Sequence, residues 1–389
     1  MRIPIACAAA ALLVGCAALA ASLGAGNWRT SILVRMPAGD ALAPLVRASD
    51  PGFAFVDPLA RYEGVYTYAV ARDPFASGAA HGLLDQAPTA YGRPAYGWLA
   101  GLASLGRPRA LPDAMLVLNL LMFVLAAYLV SRLALKIGRS PWWGMIVALN
   151  PGFTAGLIGD TGEPVLLAFA TLGLLLWLQR RRVAAAVLAA GCFAGEMGLL
   201  VPVGLALYEA VQLARDARST GEPPLGQARP AARRLALLAV GPVLYGLWTL
   251  YLHARLGSWP LSEPGGLGRP LAGVAETAGR AAVFAFGDYY QAEISNAVTP
   301  ILIVVAVLLA LGAVRSARVQ TPYQAIALLM ALATLSLARP LLLDPRSLYR
   351  AVATPVTFVA LALLAPEPAR QTAGKAPRSP AGLRSRSAP

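Results

Sequence analysis

The densest group of side chains able to do chemistry lies between Tyr62 and Trp98. Tyr62-Glu63-Gly64-Val65-Tyr66-Thr67-Tyr68 is followed by Arg72-Asp73-Pro74-Phe75, and then by His81, Asp85, Gln86, Tyr91, Arg93, Tyr96 and Trp98. Carboxylates, an imidazole, guanidinium groups and aromatic rings in one stretch can hydrogen-bond a sugar, stack on its faces and hold a phosphate. The same composition also suits an ordinary polar loop with turns at Asp57-Pro58 and Asp73-Pro74, so composition alone leaves both readings open.

Other charged residues stand where apolar runs end. Asp160 and Glu163 lie between two such runs, and N-capping or first-turn placement explains them as readily as contact with a donor or acceptor does. Glu196 interrupts a further run. Arg346 and Arg350 precede the last one, where an arginine either snorkels to the interface or binds a lipid phosphate. His81 belongs to the polar stretch, and His253 reads as interfacial. No cluster has metal-ligand spacing, and there is no Walker loop, GxGxxG, HExxH or GxSxG, so neither a metal nor another cofactor is expected. Cys7, Cys16 and Cys192 all lie in apolar stretches, which rules out a disulfide framework and a CxxC motif.

Membrane helices must position these residues. Apolar residues make up 57% of the chain and charged residues 13%, and the mean hydropathy is +0.60. That balance excludes a soluble globular domain and makes lipid the main solvent. Apolar runs fall at about residues 3–25, 113–135, 141–158, 164–178, 183–212, 235–256, 297–314, 322–338 and 350–365. In lipid each must be helical, because only a helix satisfies its own backbone polar groups. Leu13-Val14-Gly15-Cys16 resembles a lipobox, at which Cys16 would be lipidated. The run continues to about Ala25, however, which suits an uncleaved signal-anchor.

Basic residues set the expected orientation. Arg132, Lys136 and Arg139 close the second run, Arg180 to Arg182 close the fourth, Arg233 and Arg234 precede the sixth, and Arg315 and Arg318 follow the seventh. All are expected in the cytoplasm. The run 183–212 is flanked by basic segments at both ends and must cross an even number of times. Gly191, Gly195, Gly198 and Pro202 would break it, with Glu196 at the turn, so it reads as a hairpin of two short or broken helices near a polar cavity. The sequence therefore predicts an all-α polytopic bundle of about ten transmembrane segments over 1–365, in a cell (inner or plasma) membrane, with both termini cytoplasmic.

On this topology 26–112 is a long extracytoplasmic loop, with 257–296 and 339–349 on the same side. Every Asp and Glu except Glu209, Asp216, Glu222 and Glu367 then faces outward, which places any chemistry outside. Residues 271–290 suit an amphipathic surface helix, and 366–389 a disordered cytoplasmic tail. The net charge of +14 comes from segment ends and the tail, so membrane lipid, not nucleic acid, is the expected partner.

Several motifs resemble a known group. An acidic residue plus Gly at Glu63-Gly64, the tyrosines that follow, Ala71-Arg72-Asp73-Pro74, and later Gln86, Tyr91-Gly92, Pro94 and Tyr96-Gly97-Trp98 resemble the first outer loop of certain bacterial multi-pass proteins. Those proteins are similar to the GT-C glycosyltransferase superfamily, whose best-known members are polyprenyl-phosphate-sugar-dependent mannosyltransferases. Asp160-Thr161-Gly162-Glu163 opening a helix, the Arg180 to Arg182 stop, Gly195 to Pro202, and Arg350 opening the final helix are similar in order and spacing, so that the resemblance covers most of 1–365.

The resemblance implies a GT-C-like membrane domain that transfers a sugar from a polyprenyl-phosphate donor to an unidentified acceptor at the outer membrane face. Glu63 then stands at the position of the catalytic base, where relatives usually carry Asp, and Gly64 beside it leaves space for substrate. Tyr62, Tyr66, Tyr68, Arg72, His81, Asp85, Gln86, Arg93, Asp160, Glu163 and Glu196 become substrate-binding candidates, and Arg346 or Arg350 would oppose the leaving phosphate. Relatives commonly place a basic residue just before the glutamate matched by Glu196, whereas this chain has Gly195. Two rival readings are a transporter or flippase of lipid-linked sugar, which broken helices and intramembrane charge also mark, and a catalytically inactive membrane scaffold. Convergence of Glu63 and Arg350 on one outward cavity favours the enzyme; a mid-bilayer cavity lined by both halves favours transport.

Overall fold

The computed structural model describes residues 2–56, 62–220, 225–260, 269, 271–276, 289–337 and 345–364, without the side chains of 220, 225–228, 289–300, 345, 346 and 364. Regular structure among the described residues is helical, apart from one isolated bridge between Pro37 and Val56.

A bundle of apolar helices forms the body. It comprises α1 (Arg2–Gly24), α6 (Leu111–Lys136), the short α7 (Met145–Leu149) and α8 (Pro151–Ile158), α9 (Glu163–Leu178), α10 (Ala184–Cys192), α11 (Glu196–Thr220), α12 (Leu225–Leu256), α13 (Tyr289–Ser316), α14 (Pro322–Leu335) and α15 (Pro345–Leu364). Among the described residues four helices, Arg2–Gly24, Pro108–Lys136, Glu196–Ser219 and Arg229–Leu256, are long and apolar enough to cross a membrane. The 26 residues of α6, for example, extend roughly 39 Å, more than a hydrocarbon core of about 30 Å. Helix α1 packs on α6, α9 packs on α6 and α10, and α13, α14 and α15 pack on one another, with α8 against α15 and α11 against α14.

Between α1 and α6 the chain builds a cap from α2 (Ala43–Ser49), α3 (Glu63–Arg72), α4 (Ala87–Gly92) and α5 (Ala95–Ala103). The segment 26–112, expected as a long loop between membrane segments, thus carries short helices of its own. Val34, Met36, Leu42, Val46, Phe53, Val65, Tyr68, Tyr91 and Tyr96 form a core there, continuous with Val165, Leu166, Ala194 and Leu252 of the bundle. Burial of that surface, not helix length, stabilises such short helices.

The hairpin over 183–212 is present. Helix α10 ends at Cys192, the chain reverses over 193–195, and α11 starts at Glu196. The break differs in detail from the expected one, since Gly198 and Pro202 lie inside α11. Gly198 serves close packing instead, because a Cβ there would run into the Gly191 carbonyl of the facing helix. The run 141–158 is divided at Asn150-Pro151, where the Asn150 side chain accepts from the Gly152 N–H and proline opens α8. Helix α12 begins ten residues before the expected 235. The amphipathic helix expected over 271–290 lies mostly outside the described residues, as do Asp57-Pro58 and the tail.

The bundle is polar end to end. Helices α6, α9, α11 and α15 start beside the cap and run away from it, whereas α12 returns to it, with Trp248 Nε1 donating to the Tyr91 carbonyl and Arg255 Nε to the Ala76 carbonyl. Lys136, Arg180 to Arg182, Arg233, Arg234 and Arg315 therefore collect at the end opposite the cap, where Arg234 pairs with Glu209 at 2.9 Å.

Candidate functional site

Where the cap meets the bundle, charged residues from five separate parts of the chain converge. Glu63 is the first residue of α3, following Tyr62 in extended conformation. Arg350, one and a half turns into α15, donates from Nη2 to Glu63 Oε2, and the same Nη2 lies 2.8 Å from Glu163 Oε1 in an ion pair. Its Nε also donates to Glu163 Oε1 at 2.8 Å. Glu163 opens α9, and its Oε2 accepts the Thr161 hydroxyl. Nearby, Arg93 Nε donates to Glu196 Oε1 at 2.8 Å. Arg93 thus brings a cation from the cap to Glu196 at the start of α11. The Tyr62 ring faces two guanidinium groups, with Arg35 4.9 Å and Arg350 5.8 Å from its centroid.

Exposure orders the Arg350 partners. The Arg350 side chain is 5% exposed, that of Glu163 15% and that of Glu63 42%. Glu63 thus lies at the edge of the cluster, packed on one side and open to solvent on the other. Enclosure alone would raise its carboxyl pKa, but the Arg350 charge, followed by that of Arg93, outweighs this and holds it below the ordinary carboxylate value. Arg93 is fixed in its charged form chiefly by Glu196, with Glu63 and Glu163 adding to the effect.

Backbone packing brings Glu63 to this place. A Cβ on Gly64 would lie 2.8 Å from the carbonyl oxygens of both Val34 and Gly159. The missing side chain therefore makes room for protein backbone, not for substrate as expected. Beneath the charged group is a buried polar layer. Asp160 is fully buried with φ +50, and the Tyr96 hydroxyl lies 3.2 Å from its Oδ1 and 2.8 Å from the Met115 carbonyl. Asn119 Nδ2 donates to the Gly156 and Thr161 carbonyls at 3.1 and 3.3 Å. Asp160 is not the N-cap of α9, since Gly162 occupies that position; Glu163 does stand in the first turn.

Of the candidates, Tyr62, Glu63, Arg93, Glu163, Glu196 and Arg350 come together, with Asp160 below them. Others build the cap. Tyr68 is buried, Arg72 Nη1 donates to Ser49 Oγ at 2.9 Å and lies 3.3 Å from the Tyr68 hydroxyl, and the Tyr66 hydroxyl donates to Asp85 Oδ1 at 2.9 Å. His81 Nδ1 lies 2.9 Å from Asp73 Oδ2, and Asp73 also accepts from the Ser77, Gly78 and His81 N–H groups. This fixes the turn expected at Asp73-Pro74. Burial would raise the Asp73 carboxyl pKa, but those donors outweigh it and lower the value. Gln86 is exposed just before α4, and the Arg346 side chain is outside the described residues.

Sequence reasoning missed Arg35 and Asn119. Asn119 was detectable as a polar residue inside an apolar run; nothing around Arg35 distinguished it. Beside Arg35 is a cavity of about 430 Å³, lined by Ser22, Ala25, Ile32, Leu33, Arg35, Val56 and Ile158. Among the described residues no group of three or more His, Cys, Asp and Glu could hold a metal. The arrangement offers a buried, fixed guanidinium for an anion and a carboxylate open on one side for a proton. Comparisons of the chain with protein-family models, curated proteins and solved structures gave no match.

Proposed function

We propose that the chain is a membrane glycosyltransferase of GT-C type, with about ten membrane segments, that takes a sugar from a polyprenyl-phosphate donor at the extracytoplasmic face. The observation that carries this reading is the meeting of Glu63, from the cap, with Arg350, from the last helix. In sugar transfer the acceptor hydroxyl attacks the anomeric carbon, the bond from that carbon to the phosphate oxygen breaks, and the phosphate leaves with the electron pair. Arg350 opposes the charge that develops on the phosphate. Glu63 takes the proton of the hydroxyl. The mostly apolar cavity beside Arg35 suits the first isoprenoid units of the donor. The basic residues at the opposite end of the bundle support a cytoplasmic placement of that end and an extracytoplasmic cap.

The test is Glu63→Gln, which keeps size and hydrogen bonding but removes the base. Transfer from a polyprenyl-phosphate sugar by the purified protein should fall by roughly 10²- to 10⁴-fold, while protein level and donor binding survive. Glu63→Asp should retain part of the activity. Wild-type turnover by Glu63→Gln would remove the catalytic assignment and put the transport and scaffold readings ahead.

A further inference from the structure

We infer that Glu63 occupies the place on Arg350 that the donor phosphate takes, so that the donor binds first and its arrival frees the base, while Glu163 keeps Arg350 in position during the exchange. This rests on the transferase reading and adds to it an order of binding and a positioning residue.

The two carboxylates on Arg350 are not equivalent. Glu163 is the more buried, accepts from Nε with Nη2 also 2.8 Å away, and is itself anchored through Thr161. Glu63 is the more exposed and meets Nη2 alone. An anion arriving from solvent therefore reaches the guanidinium on the Glu63 side. Displacing a solvated carboxylate there costs little, whereas removing the enclosed one would strand a buried charge. Arginine presents its donors in a rigid fork that matches phosphate, and Glu163 holds that fork still.

The exchange also removes a chemical conflict. A carboxylate paired with a guanidinium is held ionised and is a weak base, yet a general base works best with its proton affinity matched to the operating pH. Once a phosphate sits on Arg350, Glu63 loses its cation and gains an anionic neighbour. Both changes raise its affinity for a proton. The acceptor hydroxyl is thus deprotonated only when a donor is in place, which guards the base against working without a sugar to transfer.

The test is calorimetric binding of farnesyl phosphate, a short prenyl monophosphate, and of inorganic phosphate to the purified full-length protein in detergent. Glu63→Gln should bind farnesyl phosphate roughly fivefold more tightly than wild type, because the competing carboxylate is gone. Wild type should take up protons on binding near pH 5, seen as heat that depends on the buffer, and Glu63→Gln should not. Glu163→Gln should lose affinity, and Glu163→Asp should regain part of it. The same gain with inorganic phosphate identifies the bare phosphate as the exchanged anion, and a gain confined to the prenyl ester identifies the lipid headgroup; either supports the exchange. Equal affinities without proton uptake overturn it and leave the transferase reading standing. No binding of farnesyl phosphate to any variant overturns both. Should Glu63→Gln fail to purify, proton uptake by wild type alone decides.

Discussion

Asp160 shows how far a residue's chemistry can depart from its place in the chain. Its position between two apolar runs suggested a cap, yet it lies fully buried beside Tyr96. The Tyr96 hydroxyl has one proton, for which the Met115 carbonyl at 2.8 Å and Asp160 Oδ1 at 3.2 Å compete, so it gives the Asp160 carboxylate little support. Burial accordingly pushes the Asp160 carboxyl up to about 7, against the opposing Tyr96 contact and Arg35 charge. With the folded value raised, the stability due to the protonated form is fully present below the unfolded value near 4 and is lost as pH rises to about 7, on the order of 4 kcal/mol in total. Asp160→Asn should abolish this slope. Thermal melts in detergent between pH 4.5 and 8 measure it, and equal slopes for both proteins would show that Asp160 is ionised throughout. The residue types of the site were legible in the sequence, since Glu63, Glu163, Glu196 and Arg350 all stand out against apolar or aromatic surroundings. The pairing of Glu63 with Arg350 was suggested by the resemblance alone, because the two are 287 positions apart and no local spacing relates them, and that of Arg93 with Glu196 was not foreseen.

At the scale of elements, long apolar runs were readable and short helices were not. Helices α1, α6 and α9 follow their runs to within two residues, because lipid leaves an apolar segment no other backbone solution. The cap helices α2 to α5 have 6 to 10 residues and owe their existence to the shared core, which periodicity cannot reveal. How α3 seats on the bundle decides where Glu63 points, and Gly64 is the contact that allows it. Gly64→Ala should push α3 away from Val34 and Gly159, at a cost of roughly 1–3 kcal/mol, and lower transfer through misplacement of Glu63. Gly39→Ala is the control, since a Cβ there meets nothing within 4 Å. Melting temperature and transfer rate, measured on both variants, test the seating; a Gly64→Ala protein that matches Gly39→Ala in both would refute it.

For the whole molecule, composition already pointed to a membrane protein, and the basic residues lie at the end of the bundle opposite the charged site. The orientation can be measured directly. A periplasm-active reporter fused at residue 80, inside the cap, should be active, and so should a cytoplasm-active reporter at residue 225, at the far end of α12. The opposite pair of outcomes would invert the bundle and move the site to the other side of the membrane. The arrangement on Arg350 also has a consequence for biosynthesis. Chains leave the ribosome N-terminus first, so Glu63 and Glu163 reach the membrane well before Arg350, which lies 287 and 187 residues later, has been made. Until that helix inserts, both carboxylates lack the cation that holds them together. Closure of the charge cluster therefore has to wait for the helix that carries Arg350, however early the two carboxylates are made.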